Sequence, residues 1–509
     1  MKKLVSFLIV VSLLGTLLLT GCAKPAENAG DPSNKENTFT FVLGYEITQL
    51  DPQEVAGSWD CLMVLNTHDP LVRLSPDGEI VPALAERWEA SEDGMEYTFY
   101  LRDDVKFQDG SPLKASDVKF SLERGMTKAP SKRFTEPFDR VEVVGDNVVK
   151  LIFKYPTAAA LKYVTQGNNA IVSEAIMNEV GEEAYKKNPC GTGPFKLEKW
   201  TPGDRLILSA NKDYYLGAPK IDTLVVRTIT EKTTALVALE TGEVDAVLEI
   251  PAISKQSILD NPNLEYKETS GTAYWHIAFN NELPPFDNKL VRKAINMAID
   301  RQEIIDVAVD GQGIAADISI HKNSAGFTDE VKRDEYNPEK AMELLKEAGY
   351  PNGFDTQIHV REDFTQKIGQ VVQQQLSKIG VKADVVVMER SALIADSDAG
   401  KLGMATFGSN DLFLDAALPL NALDSAYRGK GSNFCFYSNE EYDRLNKLQI
   451  VERDPEKRKE IIKQMLLIEK EEVPRAPLFF PITSIAYNKE FKGIEVYGTG
   501  MYFLYDVSK

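Results

Sequence analysis

Four histidines, His68, His276, His321 and His359, are the side chains best suited to hold a metal or move a proton near neutral pH. No two of them stand at helical ligand spacing, and neither a Cys-x-x-Cys nor a His-Glu-x-x-His pattern occurs. A zinc enzyme is therefore not expected, and no metal site is assigned. The commonest secreted-hydrolase signature, Gly-x-Ser-x-Gly, is also missing. Gly191-Thr192-Gly193-Pro194 lacks the third glycine and the Lys-Ser/Thr ending of a phosphate cradle, and its proline removes a backbone donor, so it reads as a tight turn. Gly311-Gln312-Gly313-Ile314-Ala315-Ala316 fits a loose dinucleotide pattern but follows a predicted helix where that pattern requires a strand. No cofactor is expected. With 77 Asp and Glu residues, a pair of catalytic carboxylates could be drawn almost anywhere, and the count locates nothing.

The one residue with a covalent chemistry of its own is Cys22. Lys2 and Lys3 precede an apolar run from Leu4 to Leu19, interrupted only by Ser6, Ser12, Gly15 and Thr16, which is the pattern of a secretory signal. That run is shorter than the ~18–20 apolar residues of a spanning helix, and no second run of that length follows. Leu19-Thr20-Gly21-Cys22 resembles the lipobox of bacterial lipoproteins, in which the cysteine is diacylated and begins the mature chain. Residues 1–21 are thus read as a signal peptide and residues 22–37, which carry no aromatic or β-branched side chain, as a flexible tether. The remaining cysteines, Cys61, Cys190 and Cys435, are odd in number and far apart. Three buried thiols are expected, with one bridge and one thiol as the alternative.

At 509 residues the chain is too long for one core and suggests two or three domains. Its hydrophobic share of 43% beside 27% charged residues is that of a folded globular protein. The net charge of −19, made more negative when Lys2 and Lys3 leave with the signal, repels nucleic acid and anionic headgroups. No nucleic-acid partner is expected, and membrane attachment is assigned to the lipid on Cys22 alone.

Asn37 to Leu50 reads as a strand entry in which Phe39, Phe41 and Leu43 alternate. Tyr97–Leu101 reads as a strand, and Val141–Val144 with Val148–Phe153 as a hairpin turning at Gly145-Asp146-Asn147. After Pro194 strands and helices interleave. Asp300 with Glu303 and Ser438 with Glu441 have capping-box spacing, and Pro338 and Pro455 stand at first helical positions. Thr365 is read as a cap for a helix that buries Ile368, Val371, Val372, Leu376 and Ile379, stopped by Gly380 ahead of the alternating strand Val381, Ala383, Val385, Val387. Helix followed at once by strand argues α/β organisation with crossover connections.

These segments occur in an order that resembles the family 5 extracellular solute-binding proteins, the dipeptide, oligopeptide, glutathione and nickel receptors of ABC importers. The strongest piece is Pro82-Ala83-Leu84-Ala85 with Trp88, followed by Leu101-Arg102, Val105-Lys106-Phe107, Asp109-Gly110 and Ser116-Asp117-Val118. Gly191–Phe195 with Trp200, Gly242–Asp245, Phe279-Asn280 with Pro284-Pro285-Phe286, Ala348–Phe354 and Phe436–Asn439 add to it. The resemblance implies a class II, three-lobed periplasmic-binding-protein-like fold of the α/β class, with a ligand cleft between two hinged lobes. It implies a discontinuous first domain (38–67, 189–278, 479–509), a strand-rich insertion (68–188) and a C-terminal α/β domain (279–478).

It also implies a function and a set of site residues. The chain would be a monomeric, non-enzymatic, lipid-anchored receptor outside the cytoplasm that captures a small peptide ligand and delivers it to the membrane permease of an ABC importer. A nickel or metal-chelate receptor of the same fold is the alternative, and a secreted lipoprotein hydrolase the alternative of another class. A zwitterionic peptide needs a carboxylate for its ammonium and a guanidinium for its C-terminus. Similarity to the peptide-binding members puts the carboxylate in the loop Asn410–Leu420, at Asp415 in preference to Asp411, and the guanidinium at Arg361. Tyr274 and Trp275 on a crossing between lobes, and Trp59 in a first-domain segment, are the aromatic candidates.

Overall fold

The computed structural model describes residues 37–509; the signal segment, Cys22 and the tether as far as Glu36 lie outside the described residues. Strand Thr38–Leu43 is built only of β-branched, aromatic and leucine side chains, and both of its faces are buried. Phe39, Phe41 and Leu43 enter one core with Leu206, Leu208, Leu224 and Val226, while Val42 faces a second with Ala235, Leu239 and Val247. It pairs in parallel with both neighbours, Thr223–Thr228 and Ala246–Leu248, as two-sided burial favours.

One strand organises the rest. Arg475–Asn488 runs for 14 residues, well beyond the usual ~5–6. Its C-terminal half pairs with Ala246–Leu248 and Leu264–Ser270, and its N-terminal half with Tyr274–Phe279 and Gly313–Ala315. It thereby stitches a first body to a second within one 12-stranded sheet. In the second body Tyr274–Phe279 pairs antiparallel with Met404–Ser409, and Asp355–Arg361 pairs in parallel with Lys382–Met388. Helix Thr365–Ser377 covers this sheet, burying Ile368, Val371, Val372 and Leu376 against Ile358 and Val360, as its spacing predicts.

Between residues 67 and 190 the chain forms a separate antiparallel sheet of Ala85–Ala90, Glu96–Leu101, Val148–Phe153 and Phe138–Gly145, backed by helix Ala115–Thr127. Strand Glu96–Leu101 alternates strictly, with Tyr97, Phe99 and Leu101 buried. Where the chain returns, Gly191-Thr192-Gly193-Pro194 is a close backbone crossing, not just a turn. The Gly193 N–H donates to the Thr67 carbonyl at 3.0 Å, and a Cβ there would lie 2.4 Å from the Thr67 carbonyl carbon. Residues leaving and re-entering the first body therefore run side by side.

Several helix starts follow the sequence reading. Asn337 and Asp454 cap the helices that begin with Pro338 and Pro455, and Asp300 accepts from the amides of Gln302 and Glu303. Two starts are corrected. Asn439, not Ser438, caps Glu440–Val451, its amide oxygen accepting from the Tyr442 N–H. Thr365 is the first helical residue and not the cap, because its hydroxyl is turned back to accept from the Arg361 N–H at 2.9 Å. The Gly311 segment leaves helix Arg301–Ala308 and adds the edge strand Gly313–Ala315. Cys61 and Cys435 are buried and Cys190 is half-buried, all three as free thiols. No described helix is long and apolar enough to cross a membrane.

Candidate functional site

Three strands that run in the same direction end together: Asp355–Arg361, Lys382–Met388 and Met404–Ser409. In α/β sheets ligands gather beyond the carboxyl ends of such strands. The residues delivered here are Arg361 at the end of the first, Arg390 just beyond the second at the start of helix Arg390–Asp398, and the segment Ser409–Phe413 after the third. They border a cavity of about 480 Å³ that is closed from the other side by Ser58 and by Arg133 and Phe134 of the short helix Lys132–Thr135. Its volume is in the range of small-ligand sites, about 300–1,000 Å³.

The wall is aromatic. Phe407 and Phe434 stack at 4.2 Å, and Trp275 meets Phe364 edge to face at 4.7 Å. Gly408 lies opposite Trp275 in the sheet, and a Cβ on it would sit 2.9 Å from the indole, so only glycine leaves the ring its place. Arg361 lies 5.0 Å over that indole. Its guanidinium also pairs with Asp363 at 2.5 Å, while its buried Nε has no hydrogen-bond partner. Asp363 in turn accepts from the Thr365 N–H at 2.9 Å, so the helix start holds both the backbone and the side chain of Arg361 in place.

His276 lines the same space with an unpartnered, buried Nδ1, and desolvation holds its pKa well below the usual imidazole range. It is a neutral ring with one unused polar atom. Tyr274, 1% exposed, accepts from Arg475, which is itself buried against Glu469 at 2.8 Å. Tyr274 therefore serves the core as well as the cavity wall.

The acidic candidates lie elsewhere. Asp415 is 1% exposed, and both its oxygens are taken up by Arg458, at 2.5 and 2.8 Å, with the Ala417 N–H also donating to one of them. Asp411 accepts from the Ser324 hydroxyl and from the Asp415 N–H, 3.1 Å away. Neither carboxylate borders the cavity. Asp415, expected to meet a ligand ammonium, is paired here with an arginine 43 residues further on. Trp59 also stands off the cavity, stacked on Tyr45 at 5.1 Å, with its neighbour Ser58 on the wall. Arg361, Trp275 and Tyr274 are thus brought together, and Asp411, Asp415 and Trp59 are not. Arg133, Arg390 and His276 were missed by sequence reasoning. Arg390 had a usable signal, since it follows its strand much as Arg361 ends its own.

The loop that carries the two aspartates holds the bodies together. Phe413 packs against Tyr163 at 4.8 Å and Phe134 at 5.9 Å, both from the insertion, and Lys162 donates to the Leu414 carbonyl at 2.8 Å. Leu414 takes a left-handed backbone, φ 50°, which is strained for a leucine.

Burial pushes the Asp411 carboxyl up to about 7; the Ser324 hydroxyl, the Asp415 N–H and Lys162 oppose that rise, and the Asp415 carboxylate adds to it. The folded pKa exceeds the unfolded one, about 3.9, so the folded state holds the extra proton and stability falls as pH rises from about 4 through 7. The melting temperature is expected to drop between pH 5 and pH 8, and Asp411→Asn to flatten that drop. An unchanged slope in the variant would show that Asp411 is ionised throughout.

No group of three or more His, Cys, Asp or Glu that could hold a metal ion occurs among the described residues. Residues 79–431 match the family described as bacterial extracellular solute-binding proteins, family 5 Middle. The chain is 30% identical over 478 residues to the glutathione-binding protein GsiB of Salmonella typhimurium, covering 91% of this chain and 93% of that protein. Among solved structures it resembles HbpA2 from Haemophilus parasuis (TM-score 0.84, 28% identity, 93% of this chain and 99% of that one). It also resembles the ABC transporter-associated periplasmic binding protein DppA from Helicobacter pylori in complex with the peptide STSA (TM-score 0.79, 27% identity, 92% and 98%).

Proposed function

The chain belongs to the bacterial extracellular solute-binding proteins of family 5, and on that footing we propose that it captures small peptides and delivers them to the membrane permease of an ABC importer. The observation that carries the peptide reading is the cavity itself. It is enclosed by residues of the insertion and of the C-terminal body, with an arginine at the end of a parallel strand and aromatic faces beside it. A ligand touching both sides favours the closed arrangement, because only differential contacts shift such an equilibrium. The lobes are bounded near residues 67, 188, 278 and 478, and the paired crossings there are the hinge. The protein acts as a monomer outside the cytoplasm, held to the membrane by lipid on Cys22, and leaves its ligand chemically unchanged.

One preparation tests the whole reading. With Cys22→Ala, the protein is expected in the soluble fraction with its affinity unaltered, because the tether separates anchor from cavity. Peptide at 100 times its dissociation constant should add about 2.7 kcal/mol to stability by mass action and lower the radius of gyration in small-angle scattering. Chromatography should recover every peptide intact. A variant that still sediments with membranes rejects the lipid anchor. Cleaved peptide, or scattering that does not change at saturation, rejects the receptor.

A further inference from the structure

The charge on the cavity wall runs against that of the chain. Acidic residues outnumber basic ones by 77 to 58, yet the wall carries Arg133, Arg361, Arg390 and Arg475 and no Asp or Glu. Two of these guanidiniums are balanced from behind, Arg361 by Asp363 and Arg475 by Glu469. Arg133 and Arg390 form no ion pair among the described residues; Arg133 lies over the ring of its neighbour Phe134, at 4.4 Å. Other acids close by are already engaged: Asp60 by the Thr48 N–H, Asp398 by the Gly431 N–H, Asp415 by Arg458.

We infer that the cavity selects a ligand with two or more acid groups and a net negative charge, the second acid lying between Arg133 and Arg390. This deepens the peptide reading and rests on it for the nature of the scaffold. The first acid meets Arg361, whose guanidinium is part-exposed on the wall. The second is shared by two cations that the fold brings to one space from different bodies, so it also draws the cleft shut. A zwitterion with one carboxylate, spent on Arg361, would leave both of these cations without a partner as water is expelled, and its ammonium would find no carboxylate on the wall.

Calorimetry with Ala-Glu-Glu, its net-neutral isostere Ala-Gln-Gln and the non-peptide citrate decides it. Ala-Glu-Glu is expected to bind about tenfold to hundredfold more tightly than Ala-Gln-Gln, as an added charge-assisted contact would give, and less so at high salt. Arg133→Gln and Arg390→Gln should each erode that preference, weakening Ala-Glu-Glu binding more than Ala-Gln-Gln binding. Both side chains are exposed and unpaired, so the substitutions should not disturb folding. Equal affinity for the two peptides overturns the acid selectivity and leaves peptide capture standing. Citrate binding without either peptide overturns peptide capture and leaves the acid selectivity standing. Binding of none of the three overturns both.

Discussion

Arg458→Ala is expected to lower the free energy of unfolding of the C-terminal body by about 3–5 kcal/mol, the cost of leaving one member of a buried ion pair alone. Arg458 and Asp415 are 6% and 2% exposed at the side chain and joined by two hydrogen bonds, and Arg458 also donates to the Gln449 carbonyl at 2.9 Å. Burial alone would lower the Arg458 pKa, but the Asp415 carboxylate beside it holds it above the usual value. The pair fastens the cavity-rim loop to the helices Glu440–Val451 and Pro455–Glu472. Replacing both members, as Asp415→Asn with Arg458→Met, should recover part of the loss because no charge is then stranded. Denaturant midpoints of the four forms measure this. A loss under about 1 kcal/mol would mean that the pair is hydrated and behaves as a surface bridge. An Asp415→Ala effect confined to affinity, and absent for an N-acetylated peptide, would instead restore Asp415 as the ammonium partner.

The second large effect is on binding. Arg361→Ala is expected to weaken peptide affinity by roughly a hundredfold to several-thousandfold, the equivalent of about 3–5 kcal/mol at 1.4 kcal/mol per decade. Arg361→Lys should recover only part of it, since a lysine keeps the charge but loses the planar fork and its fit over Trp275. A peptide with an amidated C-terminus should bind the native protein weakly and lose little more on mutation. Calorimetry on native and variant protein with acid and amide peptides gives the coupling directly. If amidation and Arg361→Ala act independently, the carboxylate is held elsewhere, and Arg390 is the next to be placed in the same cycle.

Much of the fold was legible because its causes are local. The i, i+3, i+4, i+7 run from Ile368 to Leu376, the caps Asn337 and Asp454 ahead of prolines, and the alternation at Phe39, Phe41 and Leu43 each report a structure within a dozen residues of themselves. Local signals misled by a residue where two polar side chains competed for one role. Ser438 has capping spacing, but the adjacent Asn439 is the one that reaches the Tyr442 N–H, and Thr365 turns to Arg361. Gly191 and Gly193 were seen as a turn, whereas their need for glycine comes from a second segment, Thr67-His68, packed on them.

The candidate site divides along the same line. Sequence alone determined the family, the α/β class, and the placing of Arg361 at a strand end and of Tyr274-Trp275 on a crossing, since each depends on order and short spacing. Only the tertiary structure decided which charges are free. Asp415 and Arg458 are separated by 43 residues, and Arg133 belongs to an insertion that meets Arg390 only through folding. Whether a carboxylate is a ligand partner or an ion-pair partner depends on what is buried beside it. In a chain with 77 acids and 58 bases no spacing rule picks that partner, because desolvation, and not proximity in sequence, sets the penalty for leaving a charge alone.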